Sequence, residues 1–343
     1  MPIPHLTFGC ELDSEALRAL FADSHVVADL QTLSASVSLG LLDLSGERAE
    51  VVRQLNAAGV PVTAWLLLPQ SQGYWFNLDN APQALAFYDQ FLSWTAAQKL
   101  QWDGVGLDIE PDIQILGRVA AGDIGALPGI LRRALDGARF RRGRLFYHRL
   151  AERIRADGHR LESYQFPFIV DERRAGSTLL QRLLGVVDLD VDREVLMLYT
   201  SFMRPEKFGP AGPGMLWSYG PEAQGIAVGS TGGGVTVGGV DQIPPLTWDE
   251  FSRDLLLAHH WCDHVFVFSL EGAVRQGYLT RLRDLDWSQR LPAPWRYYRE
   301  AERFRQVLRA GLWCSAHPWV IVAGLFFALK TARALNRPGK SHR

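Results

Sequence analysis

The chain has 343 residues, 47% hydrophobic and 21% charged, a composition that builds a core and excludes intrinsic disorder. Three widely separated cysteines, Cys10, Cys262 and Cys314, argue against a disulfide-stapled secreted scaffold. The net charge of -1 is uneven: residues 290–343 hold 11 Lys and Arg against 2 acids, so residues 1–289 hold 25 bases and 35 acids, a poor match to nucleic acid.

Met1 to Leu12 has no basic n-region and no apolar h-region, so no export signal is expected there. Apolar or alternating runs then predict strands at Leu6–Glu11, Ser36–Asp43, Pro61–Leu68, Gly104–Glu110, Arg160–Phe168, Glu194–Ser201, Gly225–Gly229 and His264–Glu271. Amphipathic runs between them predict helices at Glu15–Thr32, Glu47–Ala58, Pro82–Leu100, Leu127–Ala156, Leu179–Leu184 and Trp248–Trp261. Gly59, Gly158 and Gly185 stand where three of these should stop. Strands alternating with helices at this length predict a (β/α)8 TIM barrel over residues 1–287. A doubly wound sheet is disfavoured, because Glu11 to Ser14 holds no Gly-rich dinucleotide loop, and no cofactor is expected.

In such a barrel the active site lies at the C-terminal ends of the strands. The fourth strand ends in Gly106-Leu107-Asp108-Ile109-Glu110, and period two puts Asp108 and Glu110 on the inward face, their Cα atoms about 6.6 Å apart. Adjacent carboxylates raise each other's pKa, which keeps one protonated as a general acid. The competing reading is a salt-bridged strand end, with Arg118 or Arg173 as partner. Glu11, Asp43 and Glu271, also at strand ends, are candidates for a second carboxylate.

Asp103-Gly104-Val105-Gly106-Leu107-Asp108-Ile109-Glu110 resembles the fourth-strand signature Asp-x-x-Asp-x-Asp-x-Glu of the chitinase-type family 18 glycoside hydrolases, with Gly106 in place of the middle Asp. Met197-Leu198-Tyr199-Thr200 resembles the family's Met-x-Tyr-Asp, and Phe266 to Glu271 lacks the Trp that floors the family's sugar subsite. The resemblance implies a divergent relative that cleaves a glycan or glycoconjugate containing a 2-acetamido sugar by substrate-assisted catalysis. Glu110 would protonate the leaving oxygen, Asp108 would orient the attacking acetamido group, and Tyr199 would hydrogen-bond its oxygen, with Met197 beside it. Two alternatives stand: an ordinary two-carboxylate glycosidase using Glu110 with Glu271 or Glu11, and a non-catalytic carbohydrate-binding barrel.

Tyr74, Trp75 and Phe76 follow the third strand in a polar loop, where Tyr74 and Trp75 are candidates to stack on sugar; Trp217 and Tyr219 invite the same reading, and Gln165 is a candidate polar contact. The run Gly229 to Gly234 reads as a flexible loop. His259, His260, Cys262 and His264 span a helix end and a buried strand, so they should point apart, and no metal is expected.

Residues 288–309 predict a basic aromatic juxtamembrane helix. Residues 310–329 carry no formal charge over about 30 Å of helix and predict a bilayer-inserted helix, ahead of a basic tail at 330–343. The competing reading is an amphipathic helix packed on the body. The expected partners are therefore a carbohydrate and a lipid bilayer, with a single-pass anchor and the barrel facing the cytoplasm.

Overall fold

The computed structural model describes residues 3–203, 211–236, 243–320, 323 and 330. Eight parallel strands close into a barrel in sequence order: β1 (His5–Cys10), β2 (Ser36–Leu41), β3 (Val62–Leu66), β4 (Gly104–Asp108), β5 (Arg160–Gln165), β6 (Arg193–Met197), β7 (Gly225–Gly229) and β8 (His264–Phe268). The alternation along each strand divides two environments. Leu6, Phe8, Val37, Leu39, Val105, Leu107, Val265 and Val267 face outward and are buried in the main core. Strand pairing aligns the inward set in layers, with Gly9 against Ser38 and Phe268, and Trp65 against Gly106. Near the strands' starts Glu162 accepts from Arg193 (2.7 Å), and Arg160 pairs with Asp103 (2.5 Å).

The helices are α1 (Ser14–Ala22), α2 (Ser24–Thr32), α3 (Gly46–Ala57), α4 (Ala81–Gln98), α5 (Ile113–Ala120), α6 (Leu127–Leu135), α7 (Gly137–Ala156), α8 (Phe168–Ala175), α9 (Leu179–Leu184), α10 (Gly212–Tyr219), α11 (Trp248–His259), α12 (Leu270–Arg275), α13 (Tyr278–Arg281) and α14 (Trp295–Ala316). Two runs expected as single helices are each broken by an aspartate. Asp23 accepts from His25 N–H and starts α2, and Asp136 accepts from Arg139 N–H and starts α7. The fifth strand ends at Gln165, earlier than expected, because Pro167 caps α8. Gly59, Gly158 and Gly185 take left-handed φ of 72°, 87° and 76° just past α3, α7 and α9.

Over Trp295–Ala316 the C-terminal segment packs on the barrel, as the competing reading of an amphipathic helix docked on the body expects. Among the described residues no helix is long and apolar enough to cross a membrane. The stretch 310–329 lies partly outside the described residues. Its beginning continues α14, where Leu312 is buried and Ser315 Oγ lies 3.1 Å from Ser177 Oγ. Two of the arginines expected at lipid headgroups, Arg305 and Arg309, are engaged with the barrel's acids. Arg305, 1% exposed, donates to Asp171 (3.0 Å) and Glu222 (2.6 Å), and its guanidinium lies 3.8 Å from the centre of the Tyr219 ring. Arg309 also donates to Asp171 (2.6 Å), and Tyr219 donates its hydroxyl to the same buried carboxylate. α14 approaches closely because Gly214 on α10 has no Cβ, which would stand 2.4 Å from the Tyr297 backbone.

Candidate active site

A cavity of about 780 Å³ opens at the C-terminal end of the barrel, and Glu11, Asp108, Glu110, Trp75, Met197 and Tyr199 all line it. Asp108 ends β4 and is 3% exposed, while Glu110 is half-buried just beyond. The loop after β3 is stapled to this strand end: Phe76 N–H donates to Asp108 O (2.9 Å), and Glu110 N–H donates to Phe76 O (3.2 Å). That staple divides the three aromatics. Phe76 enters the core, Trp75 faces the cavity, and Tyr74 donates its hydroxyl to Glu11.

Arg118 and Arg173, the possible partners for the strand-end acids, pair with Asp123 and with Asp188 and Glu194. Asp108 Oδ1 is buried without a hydrogen-bond partner among the described residues. Burial pushes the Asp108 carboxyl well above the usual range, the charge of Glu110 adds to this, and the Trp65 indole works weakly against it. Burial raises Glu110 as well. Two adjacent carboxyls that both resist ionisation hold a shared proton toward neutrality. The Tyr199 hydroxyl is raised by burial and by the same two acids, so it stays a hydrogen-bond donor.

Gly106, which stands where the resemblance calls for a third acid, has a structural cause. A Cβ there would lie 2.7 Å from the Tyr164 hydroxyl and 3.0 Å from its ring. Tyr164 is fixed by a 2.6 Å hydrogen bond with Ser38 and by edge contacts with Trp65 and Phe266. It fills the space beside Asp108. Gly106→Ala should therefore cost about 1–3 kcal/mol by overpacking, read by chemical denaturation, with partial recovery in the Gly106→Ala/Tyr164→Phe pair. A cost no larger than that of an exposed substitution would mean that Tyr164 does not hold this space.

The other strand-end acids separate by environment. Glu11 has Val235 N–H on Oε2 (3.1 Å) and Tyr74 on Oε1, and burial pushes it up to about 7. Glu271 is buried but does not line the cavity. Asp43 is locked by Arg48 (2.9 Å) and accepts from Ser14; its contacts with Arg48 and Ser45 outweigh its partial burial and hold it well below the usual carboxylate range. Gln165 falls on the outward face of β5, buried, and donates to Val187 O (3.3 Å), so it does not join the site. Trp217 stacks on His260 at 4.6 Å and does not line the cavity, whereas Tyr219 lines it while donating its hydroxyl to Asp171 of the Asp171–Arg305 cluster. His259 packs edge-on to Trp287, Cys262 donates to His264 O, and His264 meets the His5 ring. The run after β7 is pinned: Thr231 donates to Ser269 O (2.8 Å), and Ser269 N–H donates back to Thr231 (2.9 Å).

Trp65, Tyr164 and Phe268 line the cavity and were not singled out from sequence. Their signal was present, since period two along β3, β5 and β8 puts each on the inward face.

No protein-family model and no curated protein matches the chain. Among solved structures it is similar to the glycoside hydrolase domain of PgaB (BpsB) from Bordetella bronchiseptica, at 12% identity over 83% of this chain and 99% of that one, TM-score 0.49. It is similar to D-psicose 3-epimerase from Clostridium cellulolyticum, at 14% identity over 89% and 99%, TM-score 0.40. A third likeness is dihydropteroate synthase from Thermus thermophilus, at 11% identity over 82% and 94%, TM-score 0.30. Three differently named enzymes at such distances do not choose a chemistry for this chain.

Proposed function

We propose that the barrel is a glycoside hydrolase that cleaves a 2-acetamido sugar with assistance from the substrate's own acetamido group. The observation that carries this reading is the convergence of Asp108, Glu110 and Tyr199 on one cavity at the strand ends. Glu110, half-buried and raised in pKa, protonates the departing glycosidic oxygen. Asp108, deeper and with an unengaged oxygen, orients the acetamido N–H and balances the charge of the ring intermediate. Tyr199 donates to the acetamido oxygen, and Trp75 and Phe268 supply flat apolar faces for the sugar ring.

Glu11 lines the same cavity, which favours one specific alternative: an ordinary glycosidase with Glu11 opposite Glu110. Substrate choice separates the two. On our reading, the purified protein hydrolyses an aryl 2-acetamido-2-deoxyglycoside about a hundredfold or more faster than the matching aryl glycoside, because only the former carries its own nucleophile. Equal rates on both, together with inactivation by Glu11→Gln, would overturn the substrate-assisted mechanism and leave the two-carboxylate one. No turnover of either would overturn the hydrolase reading.

A further inference from the structure

The lining of the cavity extends beyond the barrel strands to the helices that follow them, and this part is termed its arm. Its wall is built by Leu116 of α5, Leu180 and Leu184 of α9, Met215 of α10, and Phe304 and Leu308 of α14. Five of these six are aliphatic side chains with no donor or acceptor for a hydroxyl; Phe166, Phe168, Phe202 and Tyr219 also line the cavity, and the one hydroxyl among them, that of Tyr219, is taken up by Asp171. A second sugar placed there would lose its water without replacing the hydrogen bonds. A hydrocarbon chain loses nothing polar and gains apolar contact along its length. The volume of about 780 Å³ lies high in the range for drug-sized ligands, enough for more than one ring beside the acids.

Charge narrows the choice. No Lys, Arg or His lines the cavity among the described residues, whereas Glu11, Asp108 and Glu110 do. Among the described residues, a phosphate or pyrophosphate linker would face carboxylates with no cation lining the cavity to meet it. Beside this lining, α6, which packs on α9, leaves Leu131 and Leu135 exposed, and α14 leaves Phe304 and Val307 exposed. Exposed apolar side chains suit a substrate drawn from a lipid surface.

We infer that the substrate is a neutral glycolipid: a 2-acetamido sugar in glycosidic linkage to a long-chain alcohol, with the sugar at Asp108 and Glu110 and the chain along Leu180, Leu184, Met215 and Leu308. This rests on the hydrolase reading above and names its aglycone. α14 acquires a role in this arrangement, since it supplies one wall of the chain's path.

The test uses the full chain with methyl, butyl, octyl and dodecyl 2-acetamido-2-deoxyglycosides below their micelle concentrations. Binding is read by calorimetry on Glu110→Gln, and turnover is read on the unmodified protein. Affinity should rise up to about fourfold per methylene buried until the arm is filled, with an increasingly negative heat capacity of binding. Leu184→Asn and Leu308→Asn, each shown folded by circular dichroism, should both flatten that slope. Equal binding of the methyl and dodecyl members would overturn the glycolipid assignment, even where the methyl glycoside is hydrolysed. Tighter binding of longer oligosaccharides in place of longer alkyl chains would overturn it too, by making the arm a sugar subsite. A chain-length dependence with no turnover of any member would support the hydrocarbon arm and remove the hydrolase reading instead.

Discussion

Glu110→Gln should lower kcat on an alkyl 2-acetamido glycoside by roughly 10²–10⁴-fold with KM close to unchanged, because the general acid acts in the transition state and contributes little to ground-state binding. An alkoxide is a poor leaving group and needs the proton, so an aryl substrate should show a smaller loss. The pH profile follows from the direction of the pKa shifts. Burial raises both Asp108 and Glu110, so the acid should keep its proton above the ordinary glutamate range, and activity should fall as pH rises through the pair's upper ionisation. The same shift makes a statement about stability. A carboxyl whose folded pKa is raised binds its proton more tightly when folded, so its contribution is present at low pH and lost as pH rises from the unfolded value through the folded one. Gln carries no charge to bury. The inactive variant should therefore melt higher than the unmodified protein, by a margin that widens from pH 5 to pH 8. A rate unchanged by the substitution would remove Glu110 from the chemistry, and an equal Tm at every pH would show that its burial costs nothing.

Arg305→Leu should destabilise the fold by about 3 kcal/mol, the lower end of the range for breaking a buried ion pair, measured by chemical denaturation. The arginine is 1% exposed and Asp171 is fully buried, so solvent does not screen the loss. Arg309 still reaches Asp171, which is why the lower end is expected. Asp171→Leu/Arg305→Leu should recover part of the loss, since no buried charge is then left uncompensated. An effect of a few tenths of a kcal/mol would mean that α14 is only loosely docked. Because Phe304 and Leu308 ride on the same helix and line the cavity, Arg305→Leu should also weaken binding of long alkyl chains.

The eight strands were legible because each obeys a local rule. Period-two alternation along β4 placed Asp108 and Glu110 on the inward face without knowledge of their neighbours, and barrel topology placed that strand end at the mouth. The misses have separate causes. Gln165 sits one residue out of phase with Tyr164, so its composition suggested a site that its parity denies. Asp43 sits at a strand end like the others, but Arg48 of α3 neutralises it, a contact that strand pattern does not announce.

Sequence alone determined the barrel, the acidic pair and the aromatic loop beside it, since these depend on spacing within one strand or one loop. Only the tertiary structure decided why Gly106 is a glycine, because Tyr164 comes from the adjacent strand and enters through the pairing register. It likewise decided the place of α14, whose Arg305 and Arg309 find Asp171 at separations of 134 and 138 residues. A helix rich in apolar and basic residues has the same composition whether its partner is a bilayer or a protein face carrying buried acids. Burial is a property of the assembled surface, and local composition does not say which surface supplies it.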